Sequence, residues 1–145
     1  MKRPILIFIG VSACLFCLQL TQLFAVATPA TIVVHGPTIV AFFPPVTKTE
    51  LQKDPDANEA LADFQVYANS VREPLKKSGI EFHEIYAHSF QVHRGNTVTT
   101  FRPSKAQVGY YFVVPGKKPR IEYGVMTDVG LLEIAHEYFG TPAQK

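Results

Sequence analysis

A chain of 145 residues has the length of one domain. Its 47% hydrophobic and 18% charged residues are ordinary for a globular protein, and no repeat or low-complexity segment interrupts them. Fourteen Lys and Arg against 12 Asp and Glu leave too small an excess to make a basic face for nucleic acid.

The first 27 residues differ from the rest. Met1-Lys2-Arg3 is a short basic start, no charge follows from Pro4 to Ala27, and Ala25-Val26-Ala27 fits a small-x-small cleavage site. A basic start, an apolar run and a small-residue exit describe a secretory signal peptide, which predicts a periplasmic or secreted protein. The rival reading is an uncleaved membrane anchor, since about 20 apolar residues can span a bilayer. Gln19, Thr21 and Gln22 weaken the apolarity of the second half and favour cleavage. Both cysteines, Cys14 and Cys17, fall in this leader. Their C-x-x-C spacing reads as two small apolar residues of the run rather than as redox chemistry. Val11-Ser12-Ala13-Cys14 resembles a lipobox, but the apolar run continues past it. Cleavage after Ala27 leaves 118 of the 145 residues, a single domain over 28–145 without cysteine. It also removes Lys2 and Arg3, so 12 basic face 12 acidic residues and the net charge is zero.

In the mature chain, Thr31–His35 is short and β-branched, either a first strand or the flank of the leader. Thr38–Phe43 is apolar on both faces, as a strand covered on both sides requires. Pro44-Pro45 must end it, because neither proline donates to a ladder. Asp54-Pro55 opens a helix with an N-cap acid and proline at the first position. Leu61, Phe64, Ala68, Val71 and Leu75 then form one apolar stripe. Pro74 predicts a kink, and Lys76-Lys77-Ser78-Gly79 a C-terminus. Ile80–Ala87 reads as the next strand. Ser89–His93 and Val98–Arg102 read as hairpin arms, and a Gly95-Asn96 loop would set Phe90 opposite Phe101 and Val92 opposite Thr99. Val108–Val114 is a second strongly apolar strand, and Arg120–Met126 alternates as a half-buried one. Thr127 or Asp128 caps a final helix. Its predicted stripe is Val129, Leu132, His136 and Phe139, with Leu131, Ala135 and Tyr138 beside it.

Strand, helix with an internal proline, strand, excursion, strand, turn, strand and terminal helix resembles the thioredoxin fold. The likeness is closest over Gly109-Tyr110-Tyr111-Phe112-Val113-Val114-Pro115-Gly116-Lys117-Lys118-Pro119 followed by Gly124 and a short helix. The resemblance implies an α/β, three-layer domain with a mixed central sheet flanked by helices, and an inserted β-hairpin around 88–103. The family's W-C-x-x-C motif would fall after Phe43, where Pro44-Pro45-Val46-Thr47 stands instead. Its cis-proline would fall near Gln107-Val108, where there is no proline. No catalytic residue of the family therefore carries over to this chain.

The only candidate metal ligands in proximity along the sequence are His83, Glu84, His88 and His93, with Glu81 nearby. Zinc needs three or four ligands converging at about 2.0–2.3 Å. His83 and Glu84 point to opposite faces of a strand, so hairpin-edge histidines are the simpler account. His136-Glu137 on the last helix reads as packing rather than acid–base chemistry. There is no G-x-S-x-G, no H-E-x-x-H and no phosphate-cradling glycine loop. The expectation is an exported, redox-inactive binding or structural module with no cofactor, meeting a protein partner through the loop Pro44, Pro45, Val46 and Thr47. The alternative is a histidine-based metal-binding protein or metalloenzyme of the cell envelope. A retained leader would instead tether the domain to a membrane as part of a larger assembly.

Overall fold

The computed structural model describes residues 29–103 and 107–140. The leader, with Cys14 and Cys17, lies outside the described residues. The elements run β1 (Ala30–Val34), β2 (Thr38–Phe43), α1 (Lys48–Lys53), α2 (Pro55–Lys77), β3 (Glu81–Tyr86), β4 (Phe90–Arg94), β5 (Thr97–Phe101), β6 (Gly109–Val113), β7 (Arg120–Tyr123) and α3 (Asp128–Phe139).

Two mixed sheets carry the domain. The larger has the order β3-β2-β6-β7, with β2 parallel to β3 and antiparallel to β6, and β7 antiparallel to β6. All six residues of β2 are buried, as its apolar run predicts for a central strand. Alternation sends Ile39, Ala41 and Phe43 to one face and Val40 and Phe42 to the other.

On the first face lie α2 and α3. Phe64, Ala68, Val71 and Leu75 of α2 are buried there, the stripe the sequence shows. Asp54 caps α2 by accepting from the Ala57 amide at 3.1 Å. The helix passes through Pro74 and ends where the Ile80 amide donates back to the Leu75 carbonyl at 2.9 Å, with Gly79 at φ +70. In α3 the buried residues are Leu131, Ala135 and Tyr138, whereas Val129 is 63% exposed. The predicted stripe is thus turned by about one residue. An α3 that is apolar nearly all round leaves periodicity without a clear face to select.

The second face departs from the expectation of helices on both sides. It is covered by the smaller sheet, β1-β4-β5. The hairpin forms as expected, with Phe90 opposite Phe101 and Val92 opposite Thr99. It is not a free excursion, however, because β1 joins it in parallel, from Ala30 against Phe90 to Val34 against Arg94. Between the sheets Phe42 meets Phe90 at 5.9 Å and Phe101 at 5.3 Å, and Tyr111 closes the cluster. Burying one such ring contributes about 1.5–3 kcal/mol. The face is apolar because it is an inter-sheet core, with the two sheets roughly 10 Å apart.

β7 occupies only the first four residues of the alternating run Arg120–Met126. Its polar residues, Arg120 and Glu122, are the half-buried ones, and Ile121 and Tyr123 are 38% and 44% exposed. Arg120 pairs with Glu122 at 2.6 Å and with Glu137 of α3 at 2.9 Å, which gives the helix-facing side its charged partners.

Candidate functional site

The parallel pair β2 and β3 ends at one side of the large sheet, and the crevice beyond such carboxyl ends is a common ligand position. Phe42 stands opposite Gly109, so the start of antiparallel β6 comes to the same side. The ladder ends at that pair, so the residues after Phe43 and those before Gly109 leave the same end of their strands. The loop after β2, the connection after β3 and the approach to β6 therefore gather at one end of the sheet.

The loop residues divide into structural and available ones. Val46 packs on the helix-side core. The Thr47 hydroxyl accepts from the Glu50 amide at 3.2 Å, while the Glu50 carboxylate accepts from the Thr47 amide at 2.7 Å. That reciprocal capping box starts α1. Pro44 is half-buried and Pro45 is exposed. Pro45 lines a cleft of about 350 Å³ with Pro29, Ala30, Tyr86, Ala87, His88 and Ser89. The hydrogen bonds from Thr47 hold the Glu50 carboxyl below its usual range. Tyr86 donates to Glu84 at 3.0 Å, and burial pushes its hydroxyl above the usual range.

Among the described residues the lining of the cleft holds no carboxylate, thiol or paired acid and base. Its walls are two prolines and two alanines, with an aromatic ring, an imidazole and a hydroxyl at the rim. Such a surface can hold an aliphatic or proline side chain and hydrogen-bond the neighbouring backbone. No match to a protein-family model, a curated protein or a solved structure is found for this chain.

The three candidate histidines fall in three different places. His83 lies on β3 opposite Val40, on the side of Ile85 that faces the small sheet, with Nε2 3.6 Å from a Glu81 oxygen. His88 is in the β3–β4 connection. His93 sits on β4 between Val33 and Val98, on the outer side of the small sheet. Among the described residues no three His, Cys, Asp or Glu come together as a metal ion requires. Of the three, the structure brings only His88 to the loop Pro44–Thr47. Glu137 is engaged with Arg120, so His136-Glu137 is not a free acid–base pair.

A larger hollow of about 540 Å³ opens at the opposite end, where α2 runs into β3, lined by Arg72, Lys76, Glu81, Phe82 and His83 among others. Its arginine is already committed, because Arg72 pairs with Glu84 and stacks over Phe82 at 5.5 Å. Sequence reasoning missed Tyr86, Ala87 and Ser89 as partners of Pro45. The available signal was topological: residues ending a strand parallel to β2 must arrive at the same end. Among the described residues no helix is long and apolar enough to cross a membrane.

Proposed function

We propose that this chain is an exported, redox-inactive domain of the thioredoxin-like class that binds a protein partner through the cleft around Pro45, Tyr86 and His88. The observation that carries the reading is the strand arrangement. The first and second strands of the β2-helix-β3 unit are parallel, the third is antiparallel to the first on its other side, and the fourth is antiparallel to the third, in the order β3-β2-β6-β7. Strand, helix, strand, strand, strand and terminal helix in this unit match the element order on which the resemblance rests, with α2 and α3 on one face. The small sheet covers the other face, where the resemblance implies helices. The loop at the end of β2 is the family's redox position, and here it holds Pro44, Pro45, Val46 and Thr47. Residues 28–145 contain no cysteine, so dithiol chemistry has no carrier in a cleaved protein. What remains of the family's site is a binding cleft beside a rigid loop. The basic start, apolar run and Ala25-Val26-Ala27 exit support export.

The test combines two measurements on the exported protein. Mixed with a disulfide-bonded substrate and no added thiol, it should neither reduce nor oxidise it. With a photo-crosslinking residue in place of Pro45, it should form a discrete, saturable adduct with a protein of the same compartment. The same residue in place of Val66, on the exposed side of α2, should not. Disulfide exchange by the cysteine-free protein, or equal crosslinking from both positions, overturns the reading.

A further inference from the structure

The small sheet ends on β5, Thr97-Val98-Thr99-Thr100-Phe101, with no strand beyond it among the described residues. Natural edge strands are usually blunted by charge, proline or a bulge. β5 has none of these, and its register with β4 is unbroken. The edges of the large sheet do carry charge, as Glu81 and Glu84 on β3 and Arg120 and Glu122 on β7.

The tight loop at Gly95-Asn96 fixes which backbone groups face outward. The pair closing such a loop, Arg94 and Thr97, is hydrogen-bonded, and the pattern alternates along the ladder. Thr97, Thr99 and Phe101 therefore direct their N–H and C=O to β4. Those of Val98 and Thr100 point to the open edge.

Beside that edge lies an apolar shelf. Phe101 reaches down to Phe42 and Tyr111, with ring centroids 5.3 and 5.1 Å apart, so β5 lies over β2 and β6. β7 is one strand further out. Its Ile121 lies opposite Tyr111 and its Tyr123 rests edge-on against Phe42, so both project on the face that β5 covers only in part. Cations stand at both ends. Arg94 donates to the Lys117 carbonyl at 3.5 Å, which sets the turn carrying exposed Lys118 beside the Thr97 end, and exposed Arg102 follows Phe101 at the other.

We infer that the open edge of β5 and the Ile121–Tyr123 shelf form a docking groove for an extended segment of a partner protein, added as a further strand, with alternate apolar side chains on the shelf and acidic residues at its ends. Val98 and Thr100 supply the ladder, the shelf supplies apolar contact, and Lys118 and Arg102 select the flanking charge. A second copy of this chain does not fit the groove. Pairing β5 with its own mate would bring the mate's large sheet, which underlies its own β5, into the space β7 already fills. The groove is separate from the cleft at Pro45 and does not depend on the thioredoxin-like reading.

The test is a titration of the isotope-labelled protein with the blocked peptide Glu-Val-Thr-Val-Thr-Val-Glu, followed by amide and side-chain resonances. The Val98 and Thr100 amides should shift and become slow to exchange, and the Ile121 and Tyr123 side-chain signals should move. The same peptide with lysine ends should bind about tenfold more weakly. Thr100→Pro removes one outward donor and should weaken binding about tenfold, while a still-protected Thr99 amide reports an intact hairpin. Ile121→Ser, at an exposed position, should weaken it as well without touching the ladder. Unchanged affinity in both variants, or shifts confined to other surfaces, overturns the inference. So does protection of the Val98 and Thr100 amides in the free protein. In that case the edge is already covered, and sedimentation would tell a second copy from the chain's own residues.

Discussion

Gly109→Ala should destabilise the domain far more than the loss of a glycine ordinarily does. A Cβ at this position would lie 2.4 Å from the Glu122 carbonyl oxygen, 2.8 Å from Phe42 Cζ and 3.2 Å from Tyr123 Cα. Carbon–oxygen contacts settle near about 3.3 Å, so the first clash is roughly 0.9 Å too close. Two of the three obstacles are backbone of β7, held to this end of β6 by the Gly124 amide donating to the Val108 carbonyl at 2.9 Å. Relief requires β7 to move off β6 or Phe42 to leave the inter-sheet core. Overpacking of this kind costs about 1–3 kcal/mol or more. The stiffer unfolded chain returns only about 0.5–1 kcal/mol, which leaves a net loss of about 1–2 kcal/mol. At roughly 4 °C per kcal/mol for a domain of this size, Tm should fall by about 4–8 °C in a thermal melt followed by circular dichroism. Gly36→Ala is the control, since nothing lies within 4 Å of its Cβ, and its Tm should stay within a degree or two of the parent on the order expected for a surface change. A Tm for Gly109→Ala at or above that of Gly36→Ala would refute the close approach of β6 and β7.

The corrected face of α3 makes a paired prediction. Leu131→Ala, at a fully buried site, should cost about 2–5 kcal/mol in urea unfolding, whereas Val129→Ala should cost under about 0.5 kcal/mol. Thr47→Ala opens the capping box and should cost about 1 kcal/mol, seen as faster exchange of the Glu50 and Leu51 amides with α2 little affected. Burial raises the hydroxyl pKa of Tyr110, Tyr111, Tyr138 and Tyr86 above the usual value near 10. A folded pKa above the unfolded one gives stability that is complete below the unfolded value and lost as pH rises through the folded one. Tm should therefore hold to about pH 10 and fall above it. In an absorbance titration these four phenols should ionise above the usual tyrosine range.

Local signals carried some of this fold and not the rest. The hairpin register was legible because a two-residue loop at Gly95-Asn96 leaves the arms one way to pair. β2 was legible because an unbroken apolar run has to be covered on both sides, and α2 because Phe64, Ala68, Val71 and Leu75 keep strict helical spacing. The parallel pairing of β1 with β4 was not legible, since Ala30 and Phe90 are joined by no turn and share no motif. That pairing is what turns the hairpin into a second layer. α1 is hidden in the sequence although Thr47-x-x-Glu50 is a capping-box spacing, because the double proline before it reads as loop. On β7 alternation identified two faces but not which is inward, because Glu137 on α3 makes the charged face the covered one. At the cleft, Pro45 was legible from strand-then-loop order, while Tyr86 and His88 required knowing that β3 runs parallel to β2.

Under the proposed function the loop after β2 is a thioredoxin-like redox loop without its cysteines, and supplying them tests that proposal most directly. Pro44 and Thr47 have the C-x-x-C spacing in the loop that ends the central strand, and Thr47 is the N-cap of α1. In the cleaved protein, Pro44→Cys with Thr47→Cys should form an intramolecular disulfide and catalyse disulfide exchange with a model substrate, where the cysteine-free parent should show none. A double variant that folds yet leaves both thiols free, or forms the bond and exchanges with nothing, would contradict the account.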